Sequence, residues 1–180
     1  MNKSVKAAIL MVLTLLSCQG NKVEEEKIIS IAAKKEKPYR WVDDIQANPD
    51  LDNPSFEVCY SDLTTKQYFN LGFGTQYEGE RPEIYRMFEE NYTPVDNDQS
   101  GWIRIRFIVN CKGETGRFRV LSSDENYNEM EFDPQIINQL LDITKSMDGW
   151  KILPNTETPI DYYQYLIFKM DKGKILEILP

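Results

Sequence analysis

Three groups of residues in this chain have the types and spacing to do chemistry: its cysteines, four arginines on alternate positions, and its many carboxylates. There is no histidine among the 180 residues. That removes serine–histidine–aspartate catalysis, cysteine–histidine pairs and histidine-ligated zinc, and no metal site or cofactor is expected. Cys59 and Cys111 stand as an even pair once Cys18 is set aside. In an oxidising compartment such a pair reads as a disulfide, which would stabilise the fold by about 4 kcal/mol by restricting the unfolded chain. Two free buried thiols are the alternative. Arg104, Arg106, Arg117 and Arg119 recur at period two in two neighbouring segments. Paired in register, those segments would gather the guanidinium groups on one face, fit for a phosphate, a carboxylated glycan or an acidic peptide. The competing reading pairs them internally with carboxylates such as Glu129, Glu131 or Asp161. Carboxylate-only catalysis needs two acids across a cleft. Asp43-Asp44 and Glu129/Glu131 are adjacent acids with no such placement, so no catalytic residue is assigned. Tyr162, Tyr163 and Tyr165 with Trp150 could form a carbohydrate platform, although aromatics at strand spacing more often pack a core.

Cys18 is set apart by what precedes it. Lys3 and Lys6 open the chain, Ala7 begins an apolar run that ends at Leu16, and the run closes in Leu15-Leu16-Ser17-Cys18. Ten helical residues cover about 15 Å, half a bilayer core, so this is a signal-peptide core and not a span. Apolar, variable, small, then Cys is the lipobox pattern: the sulfur takes a diacylglycerol thioether, and the chain is cut before it. Residues 1–17 are therefore expected to be a lipoprotein signal peptide and Cys18 the anchored residue. Its acyl chains, palmitate among them, would contribute about 0.8 kcal/mol per buried CH₂. Gln19, in place of an Asp, favours the outer membrane, with the domain facing the periplasm.

The chain carries 21 basic and 29 acidic residues, a net charge of −8, and loss of Lys3 and Lys6 with the signal would bring it to −10. A chain this acidic is not built to bind nucleic acid. Residues 18–40 are polar and charged and read as a flexible tether. Residues 41–80 hold turn formers and a short alternating run, 56–60, expected as a strand; 64–71 reads as a helical turn, broken by Gly72-Phe73-Gly74. These residues form an N-terminal extension to a folded domain over 81–180.

That domain has legible elements. The spacing of Ile84, Met87 and Phe88 predicts a helix over 83–91, with Pro82 in its first turn. Ile103, Ile105, Phe107 and Val109 alternate with Trp102, Arg104, Arg106 and Ile108, which predicts a strand. A turn over 110–116 leads into a return strand over 117–121, with Phe118 and Val120 inward. Asp133-Pro134 reads as N-cap and N1 of a helix carrying Ile136, Ile137, Leu140, Leu141, Thr144 and Met147 on one stripe. Tyr162, Leu166, Phe168 and Met170 share a face of a strand over 161–170, and 175–179 is a last short strand. The expected fold is α+β: an antiparallel sheet of three to four strands with two helices on one face.

With Tyr92-Thr93-Pro94, Gly101 before the alternating strand, Lys112-Gly113-Glu114 in the turn, Trp150-Lys151 after the second helix, and Tyr163 to Lys169 in the strand that follows, residues 83–170 resemble the C-terminal domain of TonB, the periplasmic energy transducer of Gram-negative bacteria. The helix-strand-strand-helix-strand order is the family's. The whole chain is also similar to uncharacterised envelope proteins of Bacteroidota. The resemblance implies that a sheet edge near residues 163–169, with Tyr163 and Tyr165, takes up an extended peptide as an added strand; a further strand over 171–179 would block that edge. It does not extend to energy transduction. A TonB keeps a transmembrane helix and a long Pro-rich spacer, whereas a tether of about 20 residues reaches only about 70 Å at full extension. The expected function is a lipid-anchored, non-catalytic envelope protein whose domain contacts another envelope protein. The alternative is an accessory protein or carboxylate-dependent enzyme acting on envelope glycans.

Overall fold

The computed structural model describes residues 45–67, 75–154 and 158–179, within the compact unit Trp41–Pro180. The expected signal peptide, Cys18, the expected tether, Asp43-Asp44 and Gly72-Phe73-Gly74 lie outside the described residues.

Alternating side chains dictate the centre of the sheet. β2 (Gly101–Val109) turns through residues 110–114 into β3 (Thr115–Ser123). The turn is held by the Asn110 side-chain oxygen, which accepts the N–H of Lys112 and of Glu114, each at 3.0 Å. Both strands follow the expected hairpin, with one irregularity. The register shifts between Arg106 and Ile108, and Arg117 takes a left-handed φ of 53°. Such a bulge adds a residue to one strand and re-aims its side chains. β6 (Tyr162–Asp171) lies antiparallel along all of β2, from Gly101↔Met170 to Val109↔Tyr162. β7 (Lys174–Leu179) folds back on residues 167–171 of β6. β1 (Lys66–Gln67) joins the same side of β6 at Tyr162 and Tyr163, running parallel. The sheet is therefore mixed and five-stranded, not purely antiparallel. A two-residue strand from a segment with no period-two pattern leaves nothing for sequence reading to detect. β4 (Leu153–Pro154) and β5 (Pro159–Ile160) form a separate small pair.

Helix α1 (Glu80–Asn91) begins three residues earlier than its spacing predicts, after Gly79 at a left-handed φ of 74°. Helix α2 (Pro134–Ser146) starts as expected: the Asp133 carboxylate accepts the Gln135 N–H at 2.8 Å and Pro134 occupies the first turn. Ile84 and Phe88 of α1 and Ile136, Leu140 and Ile143 of α2 pack into one core with Ile103, Ile105, Phe107, Leu166 and Phe168. Both helices thus cover one face of the sheet. Phe88 meets Phe168 edge to face at 4.8 Å, and Trp150 meets Phe107 likewise at 5.1 Å.

The opposite face is crossed by residues 45–67, a strap whose only regular pieces are a 3₁₀ turn at Asp62–Thr64 and β1. Ile45 is buried against Ile108 and Tyr163, flanked by Phe56 and Val58. Residues 56–60 do not form the expected strand. The N–H groups of Cys59 and Tyr60 turn to a side chain instead, as described below. The helical reading of 64–71 is likewise replaced, as far as the described residues go, by the 3₁₀ turn and β1.

Phe56 is seated on Gly116: a Cβ there would lie 2.1 to 2.5 Å from the ring. Gly116→Ala should therefore cost about 1–3 kcal/mol by overpacking, read as a lower urea midpoint. An unchanged midpoint would mean that Phe56 does not sit on the sheet.

Candidate functional site

The strap is fastened at one buried acid. Asp161, 2% exposed, immediately precedes β6. Its Oδ2 accepts the backbone N–H of Cys59 at 2.9 Å and of Tyr60 at 3.2 Å, and its Oδ1 accepts the N–H of Cys111 at 2.8 Å. Its carbonyl accepts the Lys66 N–H at 3.0 Å. A buried carboxylate needs such donors, and here they come from both half-cystines. Cys59 and Cys111 form the expected disulfide, with Cα atoms 6.0 Å apart and 52 positions apart in sequence. The two sulfurs and a carboxylate oxygen of Asp161 lie within 4.8 Å of one another, close enough in principle to hold a metal ion. The sulfurs are bonded to each other and the carboxylate already accepts three N–H groups, so the trio serves as a fastening.

The four arginines do gather on the strap side of the sheet, but not as an open patch. Arg119 donates to both carboxylate oxygens of Asp52, at 2.6 and 2.9 Å, and to the Gln46 carbonyl at 2.8 Å. Arg117 donates to Asp62 at 2.7 Å and to the Ile45 carbonyl at 3.3 Å. Arg104 and Arg106 are each 4% exposed. The Arg104 guanidinium lies 4.0 Å from the centre of the Tyr165 ring, and that of Arg106 lies 5.9 Å from the Tyr163 ring. Arg117 and Arg119 pair internally, with Asp62 and Asp52 of the strap. Glu129 and Glu131 are exposed, and Asp161 serves backbone donors. Nothing in the sequence ties residue 52 or 62 to residue 119 or 117, because the strap carries no pattern that sets its path.

The tyrosines separate. Tyr162 faces the helices and Tyr163 the strap, both fully buried, and Trp150 is in the core. They form no carbohydrate platform with one another. The edge of β6 is taken by β1 at Tyr162 and Tyr163 and by β7 over 167–171. The next edges are capped at a few positions, by side chains and by one backbone N–H. On β7, the Tyr85 hydroxyl donates to the Ile178 carbonyl at 3.0 Å and accepts its N–H at 2.9 Å. On β3, Arg119 caps the Phe118 carbonyl at 2.8 Å and Met130 donates to the Ser122 carbonyl at 3.3 Å.

Sequence reasoning missed one open apolar groove. Trp102, Tyr127, Ile167 and Leu179 line a groove of about 420 Å³ on the strap side of the sheet. Trp102 and Tyr127 stack nearly parallel, with centroids 6.3 Å apart, and Tyr127 is 65% exposed. The loop that presents Tyr127 is built by Asp124, whose carboxylate accepts the N–H of Asn126 and of Asn128 and the Asn128 side-chain amide. Those bonds, the Asn128 amide first, hold the Asp124 carboxyl below the ordinary value, and the loop keeps Tyr127 at a left-handed φ of 64°. An aromatic residue in that conformation is held by its surroundings. Lys169 Nζ lies 5.6 Å from the Trp102 ring, and Glu177 pairs across from Lys169 on β7. The Asp-Glu-Asn-Tyr-Asn run was the available signal: a turn-forming stretch with one exposed aromatic at its tip.

The chain matches no protein-family model, no curated protein and no solved structure. No described helix is long and apolar enough to cross a membrane.

The Arg119 guanidinium beside Asp52 holds its carboxyl below the usual carboxylate range. A depressed folded-state value stabilises the fold above the unfolded-state value and loses that contribution as pH falls through the folded one. Urea unfolding followed from about pH 6 down to about pH 3 should show a loss of stability below about pH 4 that Asp52→Asn reduces. Identical pH slopes for the two proteins would remove Asp52 from the account.

Proposed function

We propose that this chain is a lipid-anchored, non-catalytic protein of the bacterial envelope that binds another envelope protein through the Trp102–Tyr127 groove. The observation that carries the reading is that groove: an exposed stacked aromatic pair beside two aliphatic side chains, with Lys169 and Glu177 at its rim, on an acidic chain. Exposed apolar concavities with a polar rim are the usual seats of a partner's anchoring side chain. The chemistry it fits is one aromatic or branched aliphatic side chain of a partner, flanked by a carboxylate to meet Lys169.

The occupied strand edges favour recognition by side chains over strand addition. The order α1, β2, β3, α2, β6 is the order on which the resemblance to TonB C-terminal domains rests, and it supports a binding role in the envelope without supporting the family's binding mode. The anchor rests on the lipobox at Cys18, and Gln19 in place of an Asp supports a location at the outer membrane, facing the periplasm.

Two measurements test this reading. Cys18→Ser should move the protein from the membrane to the soluble fraction; retention in the membrane would remove the lipid anchor. In crosslinked pull-downs from envelope membranes, Trp102→Ala with Tyr127→Ala should cut recovery of a reproducible partner by about tenfold or more while the circular dichroism is kept. Undiminished recovery would remove the groove. Loss of glycan turnover on replacing acidic residues, with no partner recovered, would favour the glycan-directed alternative.

A further inference from the structure

The strap shares no residue with the main core. Among the described residues that core begins at Tyr77, whereas Ile45, Phe56 and Val58 belong to a small separate cluster with Ile108 and Tyr163. The strap has little regular structure. Besides the Ile45–Phe56–Val58 cluster and the two-residue β1 pairing, it is fastened by the Cys59–Cys111 disulfide with Asp161, the Asp52–Arg119 pair and the Asp62–Arg117 pair. What Arg117 and Arg119 hold is peptide chemistry: two carboxylates and the carbonyls of Ile45 and Gln46. The strap is thus an internal ligand for an arginine pair. Arg117, Arg119 and Asp52, with Lys145 of α2, also line an open groove of about 850 Å³, so an incoming chain can reach the ion pairs from solvent. Both half-cystines are only partly buried.

We infer that the strap is a redox-released cover, and that reduction of Cys59–Cys111 opens Arg117 and Arg119 to an acidic peptide segment of a partner. The step needs a dithiol reductant. One of its thiolates attacks a cystine sulfur, and the other half-cystine leaves as a thiolate and takes up a proton. The reductant's second thiol then resolves the mixed disulfide, freeing the remaining cysteine as a thiol. Two electrons and two protons pass to the protein, and the reductant ends as a disulfide. Without the disulfide the strap still competes as an intramolecular ligand, but its remaining contacts can open and let an outside carboxylate ligand in. This site goes beyond the Trp102–Tyr127 reading and shares no residue with it.

The test uses the full chain with and without dithiothreitol, and a hexa-aspartate peptide as the probe. Hydrogen exchange over residues 45–67 should rise at least tenfold on reduction while β2 and β6 keep their protection. Binding of the probe, followed by fluorescence anisotropy, should tighten at least tenfold. Arg117→Gln with Arg119→Gln should abolish that gain, and Asp52→Asn with Asp62→Asn should produce part of it with the disulfide intact. Three results would each overturn the inference: unchanged exchange over 45–67, a released strap with no gain in binding, or loss of protection in β2 and β6 together with the strap. The last would make the disulfide a plain structural staple.

Discussion

Nine consecutive residue pairs between β2 and β6 set the layout of the whole molecule. Side chains alternate along a strand, so a single register sends Ile103, Ile105 and Phe107 with Leu166 and Phe168 toward the helices. The same register sends Trp102, Arg104, Arg106 and Ile108 to the other side, with Tyr163, Tyr165, Ile167 and Lys169 opposite them. A slip by one residue would put two guanidinium groups into the core, at a cost the fold could not bear. The register also decides where each outer-face residue stands. Ile108 and Tyr163 fall together at one end, where Ile45 can cover them. Trp102 and Ile167 fall toward the other end, where Tyr127 and Leu179 complete a groove.

From that layout the strap follows. Its end of the outer face carries apolar Ile108 and Tyr163, and the hairpin beside it carries Arg117 and Arg119, so whatever crosses it must bring both apolar side chains and carboxylates. Ile45, Phe56, Asp52 and Asp62 meet that need. Asp161 then solves the remaining difficulty. A strap with so little regular structure has backbone N–H groups to satisfy, and a single buried carboxylate accepts two of them together with one from the hairpin turn. One acid thereby joins the strap, the turn after β2 and the start of β6.

The covered stretches of edge limit where a strand can be added. β1 and β7 share the far side of β6, Tyr85 plugs β7, and Arg119 and Met130 plug β3. A sheet managed in this way resists edge-to-edge association. The stacked Trp102–Tyr127 pair stands away from these edges, on a face and a loop.

The helices and long strands were legible from the chain alone, because each is long enough for its period to show: Ile136 to Leu140 in α2, Ile103 to Val109 in β2, Leu166 to Met170 in β6. Asp133-Pro134 marked the start of α2 by local chemistry, and the pairing of Cys59 with Cys111 followed once Cys18 was set aside, leaving two of the three cysteines. The strap, the parallel β1 and the partners of the arginines were decided only by tertiary structure. Period and capping act over a few residues, and sequence order carries them. The contacts of Asp161 with Cys59 and of Asp52 with Arg119 span 102 and 67 positions. They exist because the β2–β6 register brings those places together, and no local pattern encodes that.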